Sequence, residues 1–369
     1  MRKVTAILAG FAALALAAAA QAEAPVVRVE SGELVGEATE HANIFRAVPY
    51  AAAPVGKLRW AAPEPAPAWQ GRRDASQIGP SCPQKMNADG TPNLGAANGP
   101  TSEDCLQVNV FAPPAAKAAP VMVWLHGGGF STGAGWVYDG RNFARDGVVV
   151  VTVNYRLGTL GFFAHPALTA AAGAKAPLGN YGVMDQIAAL QWVKRNIAAF
   201  GGDPDNVTVF GESAGGASVA ILLSTPAAKG LFNKAIIQSG LVWQPPGSLP
   251  EAEARGTALA GKLGAADLAA LRALPPEAIV EAAPDAGPFA DGRLLLRTPT
   301  EALAQGLEID VPLIIGWNSG EDSLLGFKLP DPAAVVARYP LARDPAYAAD
   351  AAMGDERLAR ILFTESMFG

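Results

Sequence analysis

Short apolar runs alternate with longer amphipathic segments through the middle of the chain. The runs are rich in β-branched side chains without regular polar positions, which is typical of strands that are buried on both faces. They predict strands over residues 121–125, 148–155, 206–210, 235–238 and 312–316.

Helices are predicted between these strands over residues 185–197 and 217–223, and small helices over residues 251–283. The first of these segments carries aliphatic side chains at the spacing of one helical face. Strands that alternate with helices favour an α/β fold, with a mostly parallel central sheet and helices on both faces.

The chain has 369 residues, of which 50% are hydrophobic and 17% charged, a globular composition with material for a large core. Residues 1–22 have the pattern of a signal peptide: a basic start, an Ala/Leu-rich apolar run and an Ala20-Gln21-Ala22 cleavage site. The alternative is an N-terminal membrane anchor, which the shortness of the run disfavours. We expect an exported protein, periplasmic or secreted, in which residues 23–369 form one domain.

The formal charge of −6 disfavours two classes of partner. Loss of Arg2 and Lys3 with the leader would make it more negative still. An acidic chain without basic clusters is a poor ligand for nucleic acids or for anionic membrane surfaces. The expected partner is a small molecule, and the composition does not indicate an oligomeric state.

Cys82 and Cys105 are the only cysteines. In an oxidising compartment they are expected to form a disulfide, the alternative being two buried free thiols. Closing a loop of this size would contribute about 3 kcal/mol by loss of chain entropy.

A Gly-x-Ser-x-Gly motif surrounds Ser213. The pentapeptide alone is weak evidence, but here a predicted strand precedes it and a predicted helix follows it. That context is typical of a nucleophile elbow, a sharp turn that exposes a serine hydroxyl. The alternative is a surface turn that happens to contain a serine.

A glycine run, Gly127-Gly128-Gly129, follows the strand over 121–125. Acyl transfer requires N–H donors aimed at the oxygen that becomes negative, and glycines let the backbone approach it. Gly128, Gly129 and the amide of Ala214 are the candidates for an oxyanion hole. The alternative is a flexible turn. His126 is interpreted as part of the scaffold.

Several blocks in the same order make the chain resemble the type-B carboxylesterase/lipase family of α/β-hydrolases, which includes the cholinesterases. The resemblance runs from about residue 29 to residue 327. It is carried by Glu-Asp-Cys-Leu-Gln-Val-Asn-Val at 103–110, by Phe-Gly-Glu-Ser-Ala-Gly-Gly at 210–216, and by blocks at 45–60, 154–158, 180–186 and 200–204.

The resemblance implies a serine carboxylesterase that hydrolyses carboxylic esters through an acyl-enzyme, without a metal or an organic cofactor. Ser213 would be the nucleophile, Gly128, Gly129 and Ala214 the oxyanion hole, and Cys82 and Cys105 the first disulfide of the family. Residues 316–322 are similar to the loop that carries the family's acid.

Glu321 is the expected acid, although the local motif differs from the family pattern, so that Asp322 is the second candidate. For Glu212, beside the serine, two interpretations stay open: a role in the electrostatics of the site, or a hydrogen-bonded structural carboxylate.

No histidine follows Ser213. The chain has three histidines, His41, His126 and His165, and all of them precede the serine. In α/β-hydrolases the triad follows the order serine, acid, histidine. We therefore expect the fold to lack its C-terminal strand and helix, and this polypeptide to be almost inactive. We also expect the strand within residues 311–316 to form an exposed, aggregation-prone sheet edge. The alternative function is a catalytically inactive binding or adhesion module on the same fold.

Overall fold

A computed structural model describes residues 23–86, 97–173, 176–240, 247–284, 286–321, 331–339, 342 and 344–368. The predicted signal peptide, residues 1–22, lies outside these ranges, and both it and the single-domain assignment stay predictions.

Eleven strands are present in the described residues. They are β1 (Val26–Val29), β2 (Gly32–Val35), β3 (Glu37–Ala38), β4 (Asn43–Pro49), β5 (Arg72–Asp74), β6 (Gln107–Ala112), β7 (Ala119–Leu125), β8 (Val149–Val153), β9 (Gly202–Glu212), β10 (Lys234–Gln238) and β11 (Leu313–Gly316).

Twelve α-helices accompany them within the same residues. They are α1 (Arg141–Arg145), α2 (Gly158–Gly161), α3 (Pro166–Ala172), α4 (Tyr181–Asn196), α5 (Ala214–Leu223), α6 (Leu249–Lys262), α7 (Leu268–Ala273), α8 (Pro276–Ala282), α9 (Pro299–Ala304), α10 (Pro332–Arg338), α11 (Ala348–Ala351) and α12 (Asp355–Phe368). Of the helices described, none combines the length and the apolar character that a bilayer crossing requires.

Within the described ranges eight strands form the central sheet, in the order β11-β10-β9-β7-β8-β6-β4-β3. From β11 to β8 every neighbouring pair is parallel, whereas β6, β4 and β3 pair antiparallel. A small second sheet has the order β1-β2-β5. The predicted α/β fold, a largely parallel sheet surrounded by helices, is confirmed.

The predicted elements are present, with different ends. Helix α4 begins at Tyr181, ahead of the predicted start at residue 185, and β9 extends beyond the predicted 206–210 at both ends. The region 251–283 holds three short helices, α6, α7 and α8, as expected. The sequence pattern did not identify β1, β2, β3 and β5, because they are short and many of their side chains are partly exposed. Two longer strands, β4 and β6, were also not predicted.

A buried ion pair fixes α4 beneath the loop that follows β8. Arg156 donates two hydrogen bonds to Asp185, Nε to Oδ2 at 2.8 Å and Nη2 to Oδ1 at 2.7 Å. The Asp185 side chain is fully buried and also accepts the Arg156 backbone N–H. Removal of one partner would leave the other charge buried without compensation, which typically costs about 3–5 kcal/mol.

Strand β11 is the edge of the central sheet. Its three apolar side chains are unusually exposed: Leu313 by 42%, Ile314 by 65% and Ile315 by 49%. Successive side chains of a strand point to opposite faces, so on both faces the described residues leave this part of the sheet uncovered. The exposed edge expected from the sequence is therefore present, beginning at Leu313.

Such an edge exposes unpaired backbone groups together with apolar side chains, and we predict that it drives self-association. Replacing Ile314 with lysine should increase the monomeric fraction severalfold at equal concentration, as measured by size exclusion with light scattering. Leu307→Lys is the control, because Leu307 is 49% exposed but lies outside the sheet. A monodisperse wild-type monomer would contradict the prediction.

Candidate active site

Four neighbouring parallel strands, β11, β10, β9 and β7, end at the same edge of the sheet. The loops that leave them carry most of the residues singled out in the sequence. Ser213 follows β9, the glycine run follows β7, and Glu321 lies shortly after β11. Sites in open α/β sheets form at these carboxyl ends.

Gly211 and Gly215, on either side of Ser213, lie so close to neighbouring backbone atoms that a side chain would not fit at either position. A Cβ on Gly211 would lie 2.4 Å from the carbonyl carbon of Gly215, and one on Gly215 would lie 2.0 Å from the Leu125 carbonyl oxygen. No side chain fits at either distance. The first turn of α5 can therefore rest against the end of β7 only because both positions are glycine.

Ser213 occupies a strained conformation, with φ 54° and ψ −123°. A non-glycine residue in such a region costs about 1–3 kcal/mol, and such strain clusters at functional sites. The Ser213 backbone N–H donates to the Gln238 carbonyl at 2.9 Å. Its hydroxyl does not cap α5 and has no hydrogen-bond partner among the described residues. The Ser213 hydroxyl thus lies at the N-terminus of a helix without a hydrogen-bond partner among the described residues.

The glycine loop adopts the conformations that its composition allows. Gly128 has φ 102° and Gly129 φ 60°. The Gly128 carbonyl accepts the Thr132 backbone N–H at 3.0 Å and is therefore turned into the loop. In the part of the chain that the structure describes, the N–H groups of Gly128, Gly129 and Ala214 donate to no acceptor. These amides are available to an oxyanion.

The segment that follows the glycine loop is held by a residue close to the disulfide. Cys82 and Cys105 are bonded, with their Cα atoms 5.1 Å apart. Gln84, two residues after Cys82, donates from Nε2 to the Gly133 carbonyl at 3.0 Å and accepts the Gly133 N–H at 2.9 Å. This role of Gln84 could not be predicted from the sequence, because the two hydrogen bonds join residues 49 positions apart.

Glu321 is buried and its carboxylate is held by three hydrogen bonds. Oε1 accepts from the Ser239 hydroxyl at 2.6 Å, from the Asn318 backbone N–H at 2.8 Å and from Asn318 Nδ2 at 3.2 Å. Ser239 was missed in the sequence. It directly follows β10 and has a positive φ of 46°, and its position after a buried strand was the signal that could have identified it.

The serine and the carboxylate are connected through β10. The Ser213 backbone N–H donates a hydrogen bond to the Gln238 carbonyl. The hydroxyl of the next residue, Ser239, donates a hydrogen bond to the Glu321 carboxylate. Partial burial of the carboxyl and the negative charge of Glu321 raise the pKa of Glu212 above its ordinary 4.5, although the residue as a whole is exposed. Asp322, the second candidate for the acid, lies outside the described residues.

Neither of the two outer histidines contacts Ser213 or Glu321. The His41 imidazole is at the surface near Glu40, and His165 caps α3 by accepting the Ala167 N–H.

His126 is fully buried. Its Nδ1 lies 2.8 Å from the Gly127 carbonyl oxygen, and its ring stacks on Tyr155 with centroids 4.4 Å apart. Burial lowers the pKa of His126 to about 4. Because Nδ1 is engaged with the glycine loop, the geometry is that of a neutral side chain supporting the loop.

The described ranges contain no group of three or more His, Cys, Asp or Glu side chains placed to hold a metal ion.

The sequence model of the carboxylesterase family matches residues 23–343. The chain is 40% identical over 338 residues to fumonisin B1 esterase of Sphingopyxis macrogoltabida, covering 86% of this chain and 60% of that one. It is 41% identical over 326 residues to para-nitrobenzyl esterase of Bacillus subtilis, covering 83% and 64%. The chain thus spans less than two thirds of the length of these relatives.

Solved structures of esterases also align with most of this chain. A para-nitrobenzyl (PNB) esterase aligns with a TM-score of 0.76 at 37% identity, over 93% of this chain and 75% of that one. A carboxylesterase of Geobacillus stearothermophilus aligns with a TM-score of 0.77 at 36% identity, over 93% and 74%.

His126 makes stability sensitive to acid. Its folded pKa of about 4 lies below the ordinary 6.5, so its contribution is fully present above pH 6.5 and declines as the pH falls toward 4. Between pH 7 and pH 5 we predict a loss of about 2 kcal/mol in the free energy of unfolding from this residue.

Denaturant unfolding at both pH values should show that this loss is smaller in His126→Gln, whatever its stability at pH 7. His41→Gln, which alters a surface imidazole, should keep the wild-type pH dependence. Parallel pH profiles for wild type and His126→Gln would show the prediction to be wrong.

Proposed function

This chain belongs to the carboxylesterase family, and we propose that its strand-end site is the nucleophile, acid and oxyanion hole of an exported serine carboxylesterase. One observation carries the proposal. A strained Ser213 at the start of α5 presents an unbonded hydroxyl beside three free backbone N–H groups.

The first half-reaction uses the serine and the amides. Ser213 Oγ attacks the carbonyl carbon of an ester, and its proton passes to a base. The carbonyl oxygen becomes negative and is bound by the N–H groups of Gly128, Gly129 and Ala214. Each donor of this kind typically contributes about 2.7–4 kcal/mol to the transition state. Collapse of the intermediate breaks the bond to the alcohol, which leaves with the proton.

The second half-reaction reverses the roles. Water attacks the acyl-enzyme, the same amides bind the oxyanion, and the acid is released as Ser213 regains its proton. Glu321 would orient the base and stabilise its positive charge, as the aspartate does in the Ser-His-Asp triad.

The described residues do not supply the base that this reaction needs, because His41, His126 and His165 all have partners other than Ser213 and Glu321. A serine without a base keeps its high pKa and is a poor nucleophile. In subtilisin, removal of the triad histidine lowers kcat by about a millionfold. We therefore propose that this polypeptide has strongly impaired activity, with about 10³–10⁴ over water remaining from binding and the oxyanion hole.

Export is part of the proposal. The Cys82–Cys105 disulfide supports an oxidising compartment, as does the leader-like N-terminus. The alternative function, an inactive binding module, is not favoured, because Ser213, the free amides and a hydrogen-bonded Glu321 are all present.

Hydrolysis of p-nitrophenyl acetate tests the nucleophile. We expect slow turnover that Ser213→Ala abolishes, because the attacking oxygen is then gone. Ser224→Ala, at the other end of α5, should keep the wild-type rate. Equal rates for wild type and Ser213→Ala would rule out Ser213, and turnover at ordinary esterase rates would refute the impairment.

Added imidazole tests the missing base. We expect it to raise the wild-type rate at least tenfold more than the rate of Ser213→Ala, which reports the direct reaction of imidazole with the ester. The reason is that a free imidazole can take the proton of Ser213 when it reaches the site. The same increase in both proteins would contradict the role assigned to the base.

A further inference from the structure

Helix α12 contacts the residue that is expected to be the acid. The buried face of this helix consists of Leu358, Ala359, Leu362 and Thr364, none of them more than 3% exposed. The Thr364 Oγ1 accepts the backbone N–H of Glu321 at 3.3 Å. The two residues are 43 positions apart, so a helix distant in the sequence is joined to the main chain of the acid.

The carboxylate of Glu321 uses its two oxygens differently. Oε1 accepts all three hydrogen bonds from Ser239 and Asn318, whereas Oε2 accepts none from the described residues. Each carboxylate oxygen has two lone pairs, so Oε1 has no capacity left. A base that donates an N–H to Glu321 would therefore be bound by Oε2, and the direction of Oε2 decides whether that base is aimed at Ser213.

Hydrogen bonds to one oxygen do not fix this direction by themselves. A side chain held only at Oε1 can pivot about this atom, which would swing Oε2 away from its place. The bond to Thr364 fixes the main-chain end of Glu321, so that the residue is held at both ends. A buried N–H without an acceptor is rare because it costs free energy. Without the threonine hydroxyl we expect the loop to move until this donor finds another acceptor.

We propose that Thr364 is a positioning residue for the acid, which sets the direction of the free carboxylate oxygen through the main chain of Glu321. The inference rests on the proposed function, since only a reaction in which Glu321 orients a base makes use of this direction. Thr364→Val is the informative change, because valine keeps the shape of the side chain and removes the acceptor. Thr364→Ser keeps the hydroxyl and should keep the wild-type behaviour.

Amide hydrogen exchange, followed by NMR, tests the geometry without catalysis. In Thr364→Val we expect the N–H of Glu321 to exchange about tenfold faster, because its acceptor is gone. The N–H of Asn318 should also exchange about tenfold faster, because the carboxylate that accepts it has moved. Unchanged exchange at Asn318 would overturn the proposal, since the bond to Thr364 would then be lost without displacing the carboxylate.

A double-mutant cycle tests the effect on the reaction. The measured rate is the Ser213-dependent hydrolysis of p-nitrophenyl acetate in the presence of imidazole. We expect Thr364→Val to lower kcat about tenfold with KM unchanged, since a misdirected base slows the chemical step and not substrate binding. In the Glu321→Gln background the same change should have less than about a twofold effect, because the group that it positions is already disabled. Equal losses in both backgrounds would show a merely structural role and refute the proposal.

Thr152→Val is the matched control. Thr152 is also a buried threonine with a hydrogen-bonded hydroxyl, which accepts Asn109 Nδ2 at 3.0 Å within the sheet. Its loss should lower stability and leave the imidazole-dependent kcat at the wild-type value. If Thr152→Val instead reproduces the loss seen in Thr364→Val, the effect is general destabilisation and the proposal is wrong.

The two proposals fail separately. If imidazole produces no Ser213-dependent hydrolysis, or if Glu321→Gln does not slow it, the proposed function fails, while exchange at Asn318 still decides whether Thr364 positions the carboxylate. If Thr364→Val does not fold, Thr364→Ala removes the same acceptor without a β-branched side chain in the helix, and the same results are expected.

Discussion

The site depends on the contact between the first turn of α5 and the end of β7. The Leu125 carbonyl oxygen would lie 2.0 Å from any Cβ on Gly215, so the backbone itself fills this space. Bringing the helix so close forces the connecting residue into a sharp turn. Ser213 takes that turn at φ 54°, and its hydroxyl makes no cap hydrogen bond to α5. The strain at Ser213 is therefore a consequence of packing that the rest of the fold stabilises.

Parallel strand alignment then collects the other groups. Because β7, β9, β10 and β11 run in the same direction, the loops at their carboxyl ends share one edge of the sheet. The bond from Ser213 to Gln238 and the bond from Ser239 to Glu321 link three of these loops. A change at β10 would thus reach both Ser213 and Glu321.

Features that depend on local geometry could be predicted from the sequence. The glycine spacing around Ser213 reports backbone contacts within a few residues, and the apolar runs report burial on both faces, so the elbow and the parallel half of the sheet were predicted. Contacts between distant segments leave no such pattern. Ser239 is 82 residues from Glu321, and Gln84 is 49 from Gly133, so neither pairing could be predicted. The early start of α4 was missed for the same reason, since its first turn is buried by tertiary packing.

The energetics of the site separate an esterase from a binding module. A strained serine costs about 1–3 kcal/mol, and such conformations persist only when the surrounding structure determines them. Partial burial of its carboxyl and then the negative charge of Glu321 raise the pKa of Glu212, although the residue as a whole is exposed. A surface that only bound a partner would gain nothing from the strain at Ser213. The two neighbouring carboxylates are explained if a positive charge develops near the hydroxyl during the reaction, because an imidazolium is the species that such a negative site stabilises.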